Sequence, residues 1–130
     1  MTRERLISRS SVSALVFGVA FLAAHGAFAF EGRYVAGDKT YRQELTITKR
    51  ADGRFNVTAV VGTEGCSGVV DNTVGAADGD TMKAEDKEDS ETCILVLHRT
   101  KKGVNLEEED HCTEFHGPSC EFSGDYRKRR

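Results

Sequence analysis

The sequence predicts an all-β domain: a small antiparallel barrel of about eight strands with two disulfides, preceded by a signal peptide. Three observations predict this fold class. Apolar and polar residues alternate with a period of two, not with the 3.6-residue period of a helix. Turn-forming residues interrupt the alternation every 8–12 residues or so, which is typical of sandwiches and barrels. Finally, the pattern Phe-x-Gly-x-Tyr occurs twice, at Phe30–Tyr34 and at Phe122–Tyr126.

Residues 1–29 have the features of a secretory signal peptide. Arg3, Arg5 and Arg9 form a basic region, an apolar run follows from Val12 to Ala24, and Ala27-Phe28-Ala29 matches a small-x-small cleavage site. The apolar run is shorter than the roughly 20 residues that a membrane span requires. We therefore expect an exported protein without a membrane span, located in the periplasm or secreted. The predicted segments are a signal peptide at 1–29, a barrel at 30–126 and a basic tail at 127–130.

The first two predicted strands are Phe30–Val35 and Tyr41–Lys49. Gly32 lies inside the first strand, where a glycine usually marks a bend or a close backbone approach. The second strand alternates cleanly, with Leu45 and Ile47 on one face and polar residues on the other. This alternation predicts that one face of the strand points into a core.

Asp52-Gly53 is a strong hairpin signal, and it joins the second strand to a third at Arg54–Val61. Phe55 and Val57 are expected to face inward there. Cys66–Gly75 is predicted as a fourth strand.

The next predicted strands are Thr81–Ala84 and Thr92–Arg99, separated by the acidic run 85–91, which we expect to be a solvated loop. Thr92–Arg99 has the clearest strand pattern in the chain. Its outward residues Ile94 and Val96 are apolar, so this outer face is expected to be covered, for instance by a second copy of the chain.

Val104–Asp110 and Glu121–Tyr126 complete the set of eight strands. The shared Phe-x-Gly-x-Tyr pattern predicts that the first and last strands are neighbours, which removes the open edges of the sheet. An eight-stranded barrel is just wide enough for side chains to fill. We therefore expect a solid core, which argues against a small-ligand carrier. The predicted inward residues include Leu45, Ile47, Phe55, Val57, Leu95 and Leu97.

All four cysteines lie after the predicted signal peptide, at Cys66, Cys93, Cys112 and Cys120. An even number of cysteines in an oxidising compartment predicts two disulfides. Four cysteines allow three pairings. Because local closure is easiest for Cys112 and Cys120, we favour that pair together with Cys66–Cys93.

Charge is distributed unevenly along the chain. Residues 30–130 contain 15 Lys and Arg against 20 Asp and Glu, and without the last four residues the net charge is −9. An acidic body repels nucleic acid and attracts basic partners. The tail 127–130 is entirely basic and is expected to be a solvated end.

The sequence contains no recognised catalytic motif, such as Gly-x-Ser-x-Gly, a P-loop or His-Glu-x-x-His. We therefore expect a protein that is not an enzyme and that requires no cofactor. His111 and His116 flank Cys112, but the spacing is not that of a zinc site, so no metal site is predicted.

The segment between Cys112 and Cys120 is the candidate binding loop. Closed by a disulfide at its base, it would project His116 with little conformational freedom left to lose on binding. The alternative is that the disulfide only fastens neighbouring strands. The predicted binding residues are Phe115, His116, Gly117 and Ser119.

The exported, disulfide-bonded barrel with an acidic body resembles the periplasmic and membrane-bound inhibitors of c-type lysozyme. The Cys112–His116–Cys120 loop is similar to the His-bearing, disulfide-closed loop of a second inhibitor family of Gram-negative periplasms, which inserts into the lysozyme cleft. This resemblance implies that His116 reaches the catalytic carboxylates of lysozyme. The alternatives are a structural or envelope-interaction protein, with a homodimer among its forms, and the small-ligand carrier.

Overall fold

The computed structural model describes residues 30–86, 92–109 and 112–130. The predicted signal peptide, most of the acidic run and His111 lie outside these residues. The one helix among the described residues is a single 3₁₀ turn at Cys112–Glu114. None of the described helical structure is long and apolar enough to cross a membrane.

Eight strands form a closed antiparallel barrel in which each strand pairs with its neighbours in sequence. The all-β class, the number of strands and the barrel are therefore as predicted. The inward alternation is also confirmed, since Leu45, Ile47, Leu95 and Leu97 are all buried. The strands are β1 (Gly32–Gly37), β2 (Tyr41–Lys49), β3 (Phe55–Thr63), β4 (Ser67–Asp78), β5 (Thr81–Glu85), β6 (Ile94–Arg99), β7 (Gly103–Glu108) and β8 (Gly124–Lys128).

The first and last strands close the barrel, as the repeated pattern predicted. Strand β1 pairs with β8, with Tyr34 opposite Lys128. The two copies of the pattern also make the same contact: the Tyr34 hydroxyl donates to the Phe30 carbonyl at 2.8 Å, and the Tyr126 hydroxyl donates to the Phe122 carbonyl at 2.7 Å. All four rings are buried, so each hydroxyl satisfies a carbonyl that water does not reach.

Side chains fill the interior of the barrel. Tyr34, Tyr126, Phe30 and Phe122 are the largest of the fully buried residues, and aliphatic side chains from the other strands pack around them. A core occupied by four aromatic rings argues against a hollow barrel and therefore against the small-ligand carrier.

The disulfide pairing that we favoured from the sequence is wrong. The structure pairs Cys66 with Cys120 and Cys93 with Cys112, with Cα–Cα distances of 5.9 and 4.4 Å. Ease of local closure was the wrong criterion, because the barrel brings all four cysteines to the same end. There the backbone N–H of Glu109 donates to the carbonyl of Ile94, at 2.8 Å, which places the chain after β7 beside Cys93.

The basic tail begins later than predicted. Strand β8 continues through Arg127 to Lys128, so two of the four basic residues belong to the barrel. Arg129 is also held at the barrel edge, because its N–H donates to the Arg33 carbonyl at 2.8 Å. Closure requires this extension, since β8 must pair with β7 on one side and with β1 on the other.

The two ends of the barrel are built differently. At the turn end, short turns at 50–54, 79–80 and 100–102 join the strands, and residues 30–31 and 129–130, at the limits of the described part of the chain, are counted with them. At the capped end, the connections are 38–40, 64–66, 86–93 and 109–123, as far as they are described. In the counts below, each end also includes the two strand residues that directly precede or follow each of its connections. Both disulfides lie at the capped end, and residues 112–123 form what we call the cap.

Candidate functional site

Two disulfides and a backbone bridge fasten the cap to different parts of the barrel. Cys112 joins the residue that precedes β6, and Cys120 joins the turn between β3 and β4. Between them, His116 forms an antiparallel bridge with Gly68 of β4. On either side of this bridge, the Val69 N–H donates to the Phe115 carbonyl at 3.2 Å and the Gly117 N–H donates to the Ser67 carbonyl at 3.3 Å.

Gly68 permits this close approach. A Cβ atom at Gly68 would lie 2.3 Å from the Cβ of His116 and 2.7 Å from the carbonyl oxygen of Phe115. Both contacts are far shorter than van der Waals packing allows, so any side chain at this position would push the cap away from β4. Gly68 is therefore a structural requirement of the site that the sequence pattern did not reveal.

His116 anchors the cap from inside instead of projecting from it. Its side chain is only 5% exposed, and its ring packs edge-on against Phe122 with 5.1 Å between the ring centroids. The ring nitrogen Nδ1 lies 2.7 Å from the Gly117 carbonyl and Nε2 lies 3.0 Å from Oε2 of Glu108. The expectation of a projecting His116 on a loop closed by its own disulfide is therefore wrong, because the real crosslinks hold the ring against the barrel.

The environment of His116 favours the protonated ring. Burial of the ring lowers its pKa. The hydrogen bonds to Gly117 and Glu108, with the negative charges of Glu108 and Glu121, outweigh that effect and raise the pKa of His116 above its usual value. With both ring nitrogens donating, the imidazole offers no lone pair to a substrate. Its geometry suits a positioning role better than proton transfer.

Glu108, the last residue of β7, connects the cap to the barrel. In addition to the contact with His116, its Oε1 atom accepts a hydrogen bond from the Phe122 N–H, and its own N–H donates to the Ser123 hydroxyl at 3.0 Å. One carboxylate thus holds both the middle and the end of the cap. Charge-assisted hydrogen bonds of this kind are stronger than those between neutral groups.

Gln43 holds the end of the cap from the barrel mouth. Its side-chain amide is buried and donates to the carbonyls of Glu121 and Ser123 at 2.9 and 2.8 Å. The Tyr41 hydroxyl also accepts from the Glu121 N–H at 2.7 Å. Our reading of the sequence missed Gln43, although one signal was present: a polar residue in phase with the inward positions of β2.

The four predicted binding residues have different environments. Phe115 is half-buried and packs against the core, and Gly117 lies close to the Cys66 sulfur. Ser119 is exposed, next to exposed Pro118. The structure brings His116 and Ser119 to one groove but turns Phe115 inward, so Ser119 is the member of the set most accessible to a partner.

The groove is open and has a volume of about 530 Å³. Buried or half-buried groups form its floor and exposed cap residues form its rim. The lining residues are Tyr41, Glu108, Thr113, His116, Pro118, Ser119, Cys120 and Glu121. Together they present two carboxylates, three hydroxyls and a proline on a fixed backbone.

The capped end is strongly acidic. Its described residues include ten carboxylates and two cations, Lys39 and Arg42. The carboxylates are Asp38, Glu64, Glu85, Asp86, Glu107, Glu108, Glu109, Glu114, Glu121 and Asp125. A predominantly negative surface of this kind attracts positively charged partners over distances comparable to the Debye length.

No group of three or more His, Cys, Asp or Glu residues in the described part of the chain is arranged to hold a metal ion. The histidine pair considered from the sequence includes His111, which lies outside the described residues. His116 already has both nitrogens engaged, so it is not oriented as a ligand.

The outer face of β6 is half-buried within the single chain. Val96 lies between Lys83 of β5 and Glu107 of β7, whose long side chains flank it. The large hydrophobic residues that are exposed lie elsewhere, at Val60 and Val69 on β3 and β4. A second copy of the chain is therefore not needed to explain the apolar residues on β6.

The fold and the site define a class of protein: a small antiparallel β-barrel with one end covered by a disulfide-tied, acidic cap. Its two disulfides indicate an oxidising environment and therefore export. Comparison of the chain with protein-family models, with curated proteins and with solved structures gives no match.

Proposed function

We propose that this protein is an exported, non-catalytic binding protein of the bacterial periplasm or the secreted fraction. In this proposal its capped end binds a basic protein, and the partner is a c-type lysozyme whose activity is inhibited by binding. The observation that carries the proposal is the rigid acidic end: ten described carboxylates lie in the cap or at the same end of the barrel, and two disulfides hold the cap.

Rigidity favours binding because little conformational freedom is lost when the partner docks. The cap is fixed by two disulfides, the bridge at Gly68 and the hydrogen bonds of Glu108 and Gln43. Ordering one flexible side chain at an interface costs about 0.5–1.5 kcal/mol, so a surface that is ordered before binding avoids part of that cost.

Charge favours binding to a basic partner. Two carboxylates of the cap, Glu121 in the groove and Glu114 elsewhere in the cap, are exposed and available for contact. Complementary charges raise the association rate and make it sensitive to salt. Lysozymes of the c-type are the basic enzymes that the resemblance in the sequence suggested.

The proposed contact differs from the one that the resemblance implied. His116 is held inside the cap, so we assign it the positioning of Pro118 and Ser119 and not contact with the catalytic carboxylates of the partner. The groups proposed to touch the partner are Glu114, Ser119 and Glu121.

The test is an inhibition and binding assay with purified protein and c-type lysozyme at low and high salt. We expect inhibition at low salt. The variant Glu64→Gln/Glu114→Gln/Glu121→Gln should associate roughly tenfold or more slowly at low salt, and this difference should disappear near 1 M salt, where the Debye length is about 3 Å.

The matched control removes three carboxylates of the turn end, with Glu31→Gln, Asp78→Asn and Asp80→Asn, and should bind nearly as well as the parent protein. A basic protein without the lysozyme fold serves as the partner control. Undiminished lysozyme activity at low salt would refute the assignment of the partner. Equal loss in both triple variants would refute the assignment to the capped end.

A further inference from the structure

The turn end carries a concentration of positive charge that the proposed function does not use. Under the same counting of residues it has eleven cations and four carboxylates, whereas the capped end has two cations and ten carboxylates. The cations are Arg33, Lys49, Arg50, Arg54, Arg99, Lys101, Lys102, Arg127, Lys128, Arg129 and Arg130.

Seven of these cations form what we call the cationic patch, where β1, β8 and the turn before β7 meet. Barrel closure holds these segments together: the Lys128 N–H donates to the Lys102 carbonyl at 3.0 Å and the Arg129 N–H donates to the Arg33 carbonyl at 2.8 Å. Residues 127 and 103 are register partners. The patch consists of Arg33, Lys101, Lys102, Arg127, Lys128, Arg129 and Arg130.

The patch is exposed, although the carboxylate of Glu44 lines two grooves together with Arg33, Arg127 and Arg129. All seven residues are exposed, and none takes part in an ion pair among the described residues. The neighbouring cations behave differently, since Arg50 and Arg54 pair with Asp52 and Arg99 pairs with Asp80. Cations held close together by the backbone repel one another, and an anionic surface would offset that repulsion.

We propose that the cationic patch binds a membrane surface rich in anionic phospholipid headgroups, with the capped end pointing away from the membrane. Each Lys or Arg near such a surface contributes about 1 kcal/mol. Binding is electrostatic, because the exposed large hydrophobic residues of the described chain, Val60 and Val69, lie outside the turn end.

The acidic end does not oppose this orientation at physiological salt. Strand β2 has nine residues, which corresponds to a barrel roughly 20 Å long for tilted strands. The Debye length at physiological ionic strength is about 8 Å, so repulsion between the cap and the membrane is largely screened. Arg127 and Arg129 also line a groove that reaches Asp38 and Arg42, so the patch extends from the turn end along the side of the barrel where β1 and β8 pair. A flat surface at the turn end contacts the remaining members together, whereas an extended nucleic acid would also run along the less basic sides.

The test is cosedimentation of the purified protein with phosphatidylcholine vesicles, with and without phosphatidylglycerol. We expect binding only to the vesicles that contain phosphatidylglycerol, and release at high salt. The variant Lys101→Gln/Lys102→Gln/Arg130→Gln should bind on the order of 100-fold more weakly. Its matched control, Lys39→Gln/Arg42→Gln/Lys83→Gln, removes the same number and kinds of charge elsewhere and should retain binding within about twofold.

Each contrary outcome overturns a defined part of the proposal. Absence of binding to the anionic vesicles would overturn the proposal entirely. An equal loss of vesicle binding in both triple variants would show that binding depends on net charge and not on the cationic patch. Displacement by millimolar inorganic phosphate would indicate a site for single phosphates instead of a surface, and tighter binding of duplex DNA would overturn the lipid assignment. None of these outcomes affects the proposed inhibition of lysozyme, which depends on the opposite end.

Discussion

The two ends of this barrel are stabilised by different interactions. The turn end joins its strands with short turns, such as the one in which Gly53 has a φ of 84° and the Asp52 carboxylate accepts from the Arg54 N–H. The capped end must hold a connection of fifteen residues, 109–123, and it does so with both disulfides, a backbone bridge and buried polar contacts. Strand pairing alone closes the barrel, whereas the cap requires crosslinks to stay in place.

The turn end and the capped end also differ in charge. Cations predominate at the turn end and carboxylates at the capped end, so the molecule has two surfaces of opposite sign about one barrel length apart. The net charge of the whole chain does not report this separation, because the two groups of charge largely cancel in the sum. Two surfaces more than a Debye length apart act independently, which is why we assign them different partners.

The largest expected effect comes from removing the disulfides of the capped end. Cys66→Ser/Cys120→Ser opens a crosslink with a sequence separation of 54 and should lower the free energy of unfolding by about 4 kcal/mol. Cys93→Ser/Cys112→Ser opens one with a separation of 19 and should cost about 3 kcal/mol. Urea unfolding of both variants measures the difference, and a larger loss in the second variant would contradict the pairing.

A smaller effect is expected from crowding the bridge between the cap and β4. Gly68→Ala places a methyl group against His116 and should destabilise the protein by about 2 kcal/mol. Gly62→Ala is the matched control, because a Cβ atom at Gly62 meets no atom within 4 Å. If both variants unfold at the same urea concentration, the cap does not approach β4 as closely as described.

Substitution of the two tyrosines of the repeated pattern compares the stability that each copy contributes to the closing strands. Tyr34→Phe and Tyr126→Phe each remove a hydroxyl that donates to a buried carbonyl, and each should cost about 1 kcal/mol. Thermal unfolding of the two variants provides the measurement. A neutral effect of either variant would show that its carbonyl finds another donor and that the two copies of the pattern are not equivalent.

The pH dependence of stability is the smallest expected effect. The pKa of His116 is raised in the folded protein, so the stabilisation is fully present below the ordinary pKa of about 6.5 and is lost as pH rises through the folded pKa. Stability should therefore fall through this group as pH rises above the ordinary histidine pKa of about 6.5. His116→Gln should flatten that part of the profile, measured by urea unfolding at each pH.

The control for this experiment is His98→Gln, which changes a ring at the turn end that contacts the Thr81 hydroxyl at 3.3 Å. The slope of that variant is the reference against which the flattening in His116→Gln is measured. A parent profile that rises with pH over the same interval would contradict the contacts of His116 with Glu108 and Gly117.

Much of the fold could be predicted because local patterns encode it. Alternation of period two identifies the strands and, for β2, β3, β6 and β7, the inward face, and the repeated Phe-x-Gly-x-Tyr pattern identifies the pair of strands that closes the barrel. These signals need only neighbouring residues or one pair of similar segments. They do not depend on the path of the long connection at the capped end.

The candidate site could be predicted only in part, because its geometry depends on that path. The cysteines were identified, but their pairing follows from the bridge at Gly68 and from the register of β6 and β7, which bring distant residues together. His116 was identified as a central residue, but its inward orientation follows from Glu108, eight residues away in sequence. The last residues were assigned to a tail because charge indicates exposure and does not exclude a strand.

The central claim is that the cap is fastened to two separate parts of the barrel. Peptide mapping of the unreduced protein tests it directly, because trypsin leaves the cysteines in three peptides. These peptides are Phe55–Lys83 with Cys66, Glu88–Arg99 with Cys93, and Gly103–Arg127 with Cys112 and Cys120.

The structure predicts that all three peptides remain covalently joined until reduction. A further cut after Glu114 should then leave Cys66 attached to the Cys120 fragment and Cys93 attached to the Cys112 fragment. Recovery of Phe55–Lys83 joined only to Glu88–Arg99, with Gly103–Arg127 as a separate, internally crosslinked peptide, would contradict the account.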